Sequence, residues 1–240
     1  MKRLLVASVA EGPRVLRDDA YHHLARVLRV RVGDELTIFD GSGREAEARV
    51  TRIWPTEILL QVGAVRSAAV APVAVTLVVC LMKGDKMDWV VQKATELGCA
   101  RLVPAASAHA VVKLGGERGA GRLQRWQKIA GEAARQCGRA DVPEITEIRD
   151  IAGALAQGPG WRVLFDERAR GVSLRRVLPD ARPAEITVAV GPEGGFAPEE
   201  VVIAERAGYV VSGLGPRILR AETAALVALA VIGYALGDLG

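Results

Sequence analysis

The residues of this 240-residue chain best suited to chemistry fall in two short tracts near its end, AVGPEGGFAPEE at 189–200 and LGPRILRAETA at 214–224. Each carries a Gly-Pro pair just after an apolar run, and each leads into a helix-forming segment. Gly191, Gly194 and Gly195 permit positive φ and a close approach of the main chain, while Pro192 stiffens the turn ahead of Glu193. Such a turn can cradle a phosphate, offer bare backbone to a flat ligand, or simply reverse the chain. A phosphate cradle is weakly supported, because GPEGGF lacks the Lys-Ser/Thr ending of a Walker loop and its glycines do not fall as G-x-G-x-x-G. Arg217, Arg220 and Glu222 add charge to the second tract, just ahead of an uncharged apolar stretch. Buried there, they require a ligand or one another. An Arg-Glu pair that pins the start of the last helix is the purely structural alternative.

Both tracts follow predicted strands, the ends at which open α/β sheets bind ligands, and two similar loops on adjacent strands would form one pocket. Upstream, residues 1–70 predict a small β-rich domain. Leu36 and Ile38, then Ala46, Ala48 and Val50, alternate at period two on either side of a turn at 40–43. AAVAP at 68–72 reads as a linker, and 73–80 is a continuous apolar run of the kind expected for a strand covered on both faces. From there strands and helices alternate through 71–240, which predicts an α/β domain with a largely parallel sheet. Met87, Val90, Val91, Ala94 and Leu97 recur at helical spacing, with Asp85 as N-cap and Gly98 at the C-terminus. Leu123, Trp126, Ala130, Ala133, Ala134 and Cys137 mark the buried face of a second helix, which puts Cys137 in the core. WRVLF, ITVAV and YVVSGL predict further strands, 198–207 a helix, and 224–236 a helix buried on most sides.

Hydrophobic residues make up 50% of the chain and charged ones 25%, which suits a compact folded protein. A net charge of +4 is too small to argue for a polyanionic partner, so clustering must do so. Lys113, Arg118, Arg122, Arg125, Lys128, Arg135 and Arg139 face only Glu117 and Glu132 over 113–139, and HHLARVLRVRVG adds Arg26, Arg29 and Arg31. A solvated basic face is the ordinary meaning of such runs, and contact with RNA phosphates the functional one. Cys80, Cys99 and Cys137 form no C-x-x-C pair, so neither a zinc ribbon nor a disulfide framework is expected, and a reducing cytoplasm fits. His22 and His23, which on a strand would point to opposite faces, have no cysteine or carboxylate at ligand spacing, so no metal is expected. No secretory signal is expected, and no tract reaches the roughly 20 apolar residues of a membrane span.

In order and spacing, HHLARVLRVRVGDELTIFDGSG, KGDKMDWVVQKATELG, RWQKIAGEAARQCGR, VGPEGGF and LGPRILRAETAAL resemble the bacterial uracil-N3 methyltransferases of small-subunit (16S) ribosomal RNA, in the SPOUT class of trefoil-knotted enzymes. Gly213, where that family often has Ser, and FDERARG at 165–171 depart from the pattern. The resemblance implies an RNA-binding, PUA-like β-barrel over 1–70 and a knotted α/β domain over 71–240 that binds S-adenosylmethionine and forms a homodimer. It places cofactor contacts on Gly191, Pro192, Glu193, Gly194, Gly195, Leu214, Gly215, Ile218, Leu219 and Thr223, with backbone amides at the adenine edge and Leu214, Ile218 and Leu219 on its faces. It also makes the small ribosomal subunit the expected partner of Arg26, Arg29, Arg31, Arg122, Arg125 and Arg139.

Uracil N3 carries a proton at neutral pH and attacks an electrophilic methyl group only once that proton is lost. A carboxylate can accept it, and a guanidinium facing O2 or O4 can stabilise the resulting anion. Glu193 or Glu222 is the candidate for the first role and Arg220 for the second. Cys137 would serve attack on a ring carbon and has no evident use at N3. A related enzyme acting on another nucleoside, or a non-catalytic RNA-binding factor of the same fold, are the competing readings.

Overall fold

Alternating apolar and polar residues build the first of two compact units in the computed structural model, which describes residues 2–69, 71–109, 116–237 and 239. By their internal contacts the units are Met1–Val70 with Gly131–Val142, and Ala71–Ala130 with Pro143–Gly240. The first unit therefore takes in a segment from well beyond residue 70.

In the first unit, β1 (Arg3–Leu5), β2 (Gly12–Leu16), β3 (Glu35–Phe39), β4 (Arg44–Ile53), β5 (Ile58–Val62) and β6 (Arg66–Ser67) form one sheet, ordered β1-β3-β4-β5-β2 with β6 beside β4. The β3/β4 hairpin pairs Leu36 with Ala48 and Ile38 with Ala46, so the residues at period two share a face, and all four are buried. Asp40 shapes the turn: its Oδ1 accepts the Ser42 N–H at 3.0 Å and the Ser42 hydroxyl at 2.7 Å. His22 and His23 are not on a strand. They lie where α1 (Asp18–His22) runs on into a π-helical turn, His23–Val27, from which Leu24 enters the core with none of its surface exposed. Arg26, Arg29 and Arg31 are exposed on and after that turn.

The second unit holds β7 (Ala74–Cys80), β8 (Arg101–Ala106), β9 (Glu144–Ile145), β10 (Arg149–Asp150), β11 (Trp161–Phe165), β12 (Glu185–Val190) and β13 (Val210–Ser212). All pair in parallel, in the order β10-β8-β7-β12-β11-β13 with β9 beside β8. Strand β7 is hydrogen-bonded on both edges and buried from Val75 to Cys80, as a continuous apolar run requires. Of the helices, α2 (Lys86–Glu96) and α7 (Ala221–Leu236) pack on each other, and α7 also on β7 and β12. In contrast, α4 (Ile151–Ala156) and α6 (Pro198–Arg206) share an apolar cluster with Val78, Val103, Leu164 and Ala189. The remaining helices are α3 (Gly116–Cys137) and the single turn α5 (Leu174–Val177).

Three local expectations change. Asp85 occupies the N-cap of α2 but makes no capping hydrogen bond, because its backbone (φ −87°, ψ 6°) is not in the extended form that turns a cap side chain inward. Cys137 is exposed, since α3 ends with it and Gly138, at φ +88°, diverts the chain before anything covers that last turn. Helix α7 begins at Ala221, three residues ahead of the expected 224, and buries Ala225, Ala228, Leu229, Ile232, Gly233 and Leu236 while leaving Tyr234 78% exposed.

Central burial sets the stability of the second unit. Leu77→Ala on β7, at a fully buried position, is expected to cost about 3–4 kcal/mol, and Val202→Ala on the solvent side of α6 less than about 1. Urea denaturation of the two variants checks the difference.

Candidate functional site

Parallel strands aligned in register bring their C-terminal ends, and the loops after them, to one edge of the sheet. The tracts at 191–197 and 213–220 follow β12 and β13, but these strands are not neighbours: β11 lies between them and pairs with both. The loop after β11 is therefore a third wall. Together the loops enclose a cavity of about 500 Å³, within the range of roughly 300–1,000 Å³ common for small-molecule sites. Gly191, Pro192, Glu193, Gly194, Gly195, Leu214, Gly215, Ile218 and Leu219 line it, joined by Arg217 and Arg220. Thr223 does not; it lies half-buried one turn into α7.

Backbone conformation disfavours a side chain in the glycine turn. Gly195 sits at φ +72°, which L side chains rarely adopt, and a Cβ there would also lie 2.5 Å from the movable carboxylate of Glu167. Gly213 faces a stiffer neighbour, since a Cβ there would lie 2.7 Å from the backbone oxygen of Ala169. The two departures from the resembled pattern, Gly213 and the 165–171 segment, are thus one feature: the loop closes over the strand end so tightly that a side chain at 213 has no space. Backbone bonds hold it there, from Asp166 N–H to the Ser212 oxygen at 3.0 Å and from Gly213 N–H to the Val172 oxygen at 2.9 Å.

The carboxylate of buried Asp166 accepts from the Arg168 guanidinium (Nη2–Oδ2 2.6 Å), which also donates to the Phe196 carbonyl at 2.9 Å. Burial pushes the Asp166 pKa up, but the Arg168 side chain and its backbone N–H outweigh it and leave the carboxyl below its usual 3.8. Beyond the glycine turn, Glu200 anchors α6. It accepts the Ala197 N–H and the Ala108 N–H, each at 2.8 Å.

Charge is arranged differently from the sequence expectation. Arg217 and Arg220 are exposed at the cavity, not buried, so they need no internal partner. Glu222 pairs instead with Lys86, whose Nζ lies 3.2 Å from Glu222 Oε2 and 3.0 Å from Glu193 Oε1. That Glu222 oxygen is buried, and the contact with Lys86 has ion-pair distance without hydrogen-bond geometry. Glu193 Oε1 also accepts the Lys83 N–H at 3.3 Å. Partial burial raises the Glu193 pKa, and backbone hydrogen bonding together with Lys86 more than reverses it, to below the ordinary glutamate value. The hydrogen bond to Glu193 and then the neighbouring Glu222 carboxylate raise Lys86 above its own.

Sequence reasoning missed Lys86, Phe165, Asp166 and Glu167, all of which line the cavity. The last three had a signal, because they follow an apolar strand just as the two Gly-Pro tracts do. Lys86 had none, since its partner Glu193 is 107 positions away.

Among the basic candidates, Arg26, Arg29, Arg31 and Arg122 are exposed. Arg125 is engaged by Asp88 and, at 3.7 Å, by Asp85. Arg139 is half-buried against Asp141 at 2.5 Å, and Arg135 pairs with Glu132. Lys113 and the Arg118 side chain lie outside the described residues. Among the described residues no three His, Cys, Asp or Glu side chains come together as a metal site would require, and no helix is long and apolar enough to cross a membrane.

With this geometry, the RNA methyltransferase domain family matches residues 69–233, a span that contains all three loops and Lys86. The chain belongs to the RNA methyltransferase family. The RNA methyltransferase PUA domain matches residues 16–62. Ribosomal RNA small subunit methyltransferase E of Bacillus subtilis is 32% identical over 235 residues, 94% of this chain and 92% of that protein. A protein of the same name from Neisseria gonorrhoeae, solved bound to S-adenosylmethionine, superposes with a TM-score of 0.89 at 33% identity over 100% of both chains. A Legionella pneumophila methyltransferase, also solved with that cofactor, gives 0.90 at 30% identity over 99% of both. Within this RNA methyltransferase, the departures at 165–171 and 213 are internal to the matched span.

The Asp166–Arg168 pair makes a prediction about pH. Because the folded carboxyl titrates below 3.8, its stabilisation is full above that value and fades as pH falls through the folded pKa. Asp166→Asn is expected to cost about 1–3 kcal/mol at pH 7, and the gap between variant and parent to narrow below pH 3.8 when both are melted across pH.

Proposed function

We propose that this protein transfers a methyl group from S-adenosylmethionine to 16S ribosomal RNA of the small subunit, at N3 of one uridine. The observation that carries the reading is a cavity lined by bare main chain at Gly191, Gly194, Gly195 and Gly215, set at the C-terminal ends of parallel strands in a member of the RNA methyltransferase family. A flat purine can approach backbone amides where no side chain stands, as at Gly195, whose φ of +72° disfavours one. Leu214, Ile218 and Leu219 offer apolar cover for its faces. When bound, S-adenosylmethionine supplies an electrophilic methyl group on a sulfonium. What the protein adds is orientation, exclusion of water and management of one proton.

For the proton, Glu222 is the better base. Glu193 has its Oε1 occupied by the Lys83 N–H and Lys86 and is held at low pKa, which makes it a weak acceptor. Glu222 keeps a buried oxygen that receives no hydrogen bond from any described residue, and it neighbours Ala221, which lines the cavity. Arg220, exposed at the cavity and N-cap of α7, is the donor for the uracil anion.

The match of a PUA domain to residues 16–62 supports RNA binding by the first unit, through Arg26, Arg29 and Arg31. In the second unit Arg122 is exposed on α3 and open to phosphate, whereas Arg125 and Arg139 would first have to exchange Asp88 and Asp141 for it. In this reading 1–70 is the RNA-binding domain and 71–240 the catalytic one, with Gly131–Val142 packed into the first unit. The trefoil knot and the homodimer belong to the same proposal. The loop laid over Ser212 and Gly213 supports the first. Cys80, Cys99 and Cys137, present as thiols, fit a reducing cytoplasm.

Small subunits lacking the modification, incubated with the protein and S-adenosylmethionine, are expected to gain a single primer-extension stop, because a methyl on N3 blocks Watson–Crick pairing. Absence of any stop refutes the N3 assignment, and absence of methyl incorporation refutes the reaction. Arg220→Ala is expected to lower kcat by about 100- to 1,000-fold while donor affinity, measured by calorimetry, changes little. Near-full turnover in that variant would remove Arg220 from the mechanism.

A further inference from the structure

We infer that Lys86 is a positioning residue for methyl transfer: its ammonium gathers the carboxylates of Glu193 and Glu222, from two segments distant in sequence, into one fixed cluster beside the cavity. The inference rests on the cavity being the methyl-donor site.

Lys86 is the first residue of α2, where the partial positive charge of the helix N-terminus disfavours a cation and normally selects an acidic side chain. A lysine at that place breaks a local rule, and such breaks concentrate where a site needs them. Two carboxylates compensate it. Glu193 Oε1 at 3.0 Å comes from the turn after β12, and Glu222 Oε2 at 3.2 Å from the first turn of α7. Both oxygens lie about 3 Å from one nitrogen, so they can be separated by no more than twice that. Without the cation two like charges would share the space, which favours protonating one of them.

The other charged groups do not replace it. From the start of α2, Lys83 reaches Glu193 only through its backbone N–H, and Asp85 and Asp88 engage Arg125. From the loop after β11, Asp166 engages Arg168, and Glu167 adds negative charge to the cavity wall. Arg217 and Arg220 line the cavity from the second tract, yet the ion pairs of Glu193 and Glu222 are with Lys86. The cluster thus fixes the glycine turn against the first turn of α7, and with it the spacing between the bare main chain and Arg220. It also favours the ionised form of Glu193, a direction that the shifts of Lys86 and Glu193 share.

Lys86→Met and Lys86→Arg in the full-length chain test this with two readouts. Carbon NMR of the glutamate carboxyls reports their titration without need of activity. In Lys86→Met one carboxyl midpoint is expected to rise by about one pH unit or more, and to vanish from the spectrum of titrating groups when Glu193→Gln or Glu222→Gln is added. In the pH profile of kcat/KM on small subunits, the acidic limb is expected to move up by a similar amount and the plateau to fall about 10- to 100-fold, with Lys86→Arg restoring both. An unchanged acidic limb in a folded Lys86→Met protein overturns the inference, as does a shifted carboxyl midpoint with an unaltered rate profile. If Lys86→Met fails to fold, Lys86→Gln carries the same comparison. If the parent protein binds no donor and methylates nothing, the reading of the cavity fails. The carboxyl titration then still decides whether Lys86 holds the pair, and the positioning role falls with the reaction.

Discussion

Asp166 ties the three loops of the cavity together, and the remainder of the site depends on that tie. Its backbone N–H holds the end of β13 through the Ser212 oxygen, and its carboxylate holds Arg168, which in turn donates to the Phe196 carbonyl in the glycine turn after β12. One residue after β11 thereby fixes the loops on either side of it. A buried carboxylate is costly unless paired, so its strong pairing is the condition for its presence.

From that constraint follows the absence of side chains. With the β11 loop drawn down onto its neighbours, a Cβ at Gly213 would strike the Ala169 carbonyl, while Gly195 at φ +72° holds a backbone form that L side chains rarely adopt. The surface left behind is polar along the backbone and apolar at Leu214, Ile218 and Leu219, which suits a purine better than a phosphate. Charge lines the same cavity: Lys86 pairs with its two glutamates, and Arg217 and Arg220 are exposed to solvent.

How much of this was legible in the sequence depended on range. The β3/β4 hairpin, strand β7 and helix α2 were readable because one period of apolar residues fixes each of them locally. The two Gly-Pro tracts were readable because turn chemistry is local too. Strand order was not, so the tracts were expected on adjacent strands although β11 separates them. For the same reason the β11 loop went unassigned, and the arginines were expected to be buried. The partner of Glu222 is Lys86 on α2, a contact only the folded sheet creates. Locally, HHLARVLRVRV did not disclose its π-helical turn at His23–Val27, since the three exposed arginines fit either spacing and only Leu24 of the turn enters the core. Cys137 lies on the predicted helical face but at its last position, where periodicity continues and packing does not.

The most direct test of the whole account is amide hydrogen exchange with and without S-adenosylmethionine. Seating of the donor on bare main chain predicts slowed exchange confined to 165–168, 191–196 and 214–221. No protection on adding the donor, or protection elsewhere with these three loops unchanged, would contradict it.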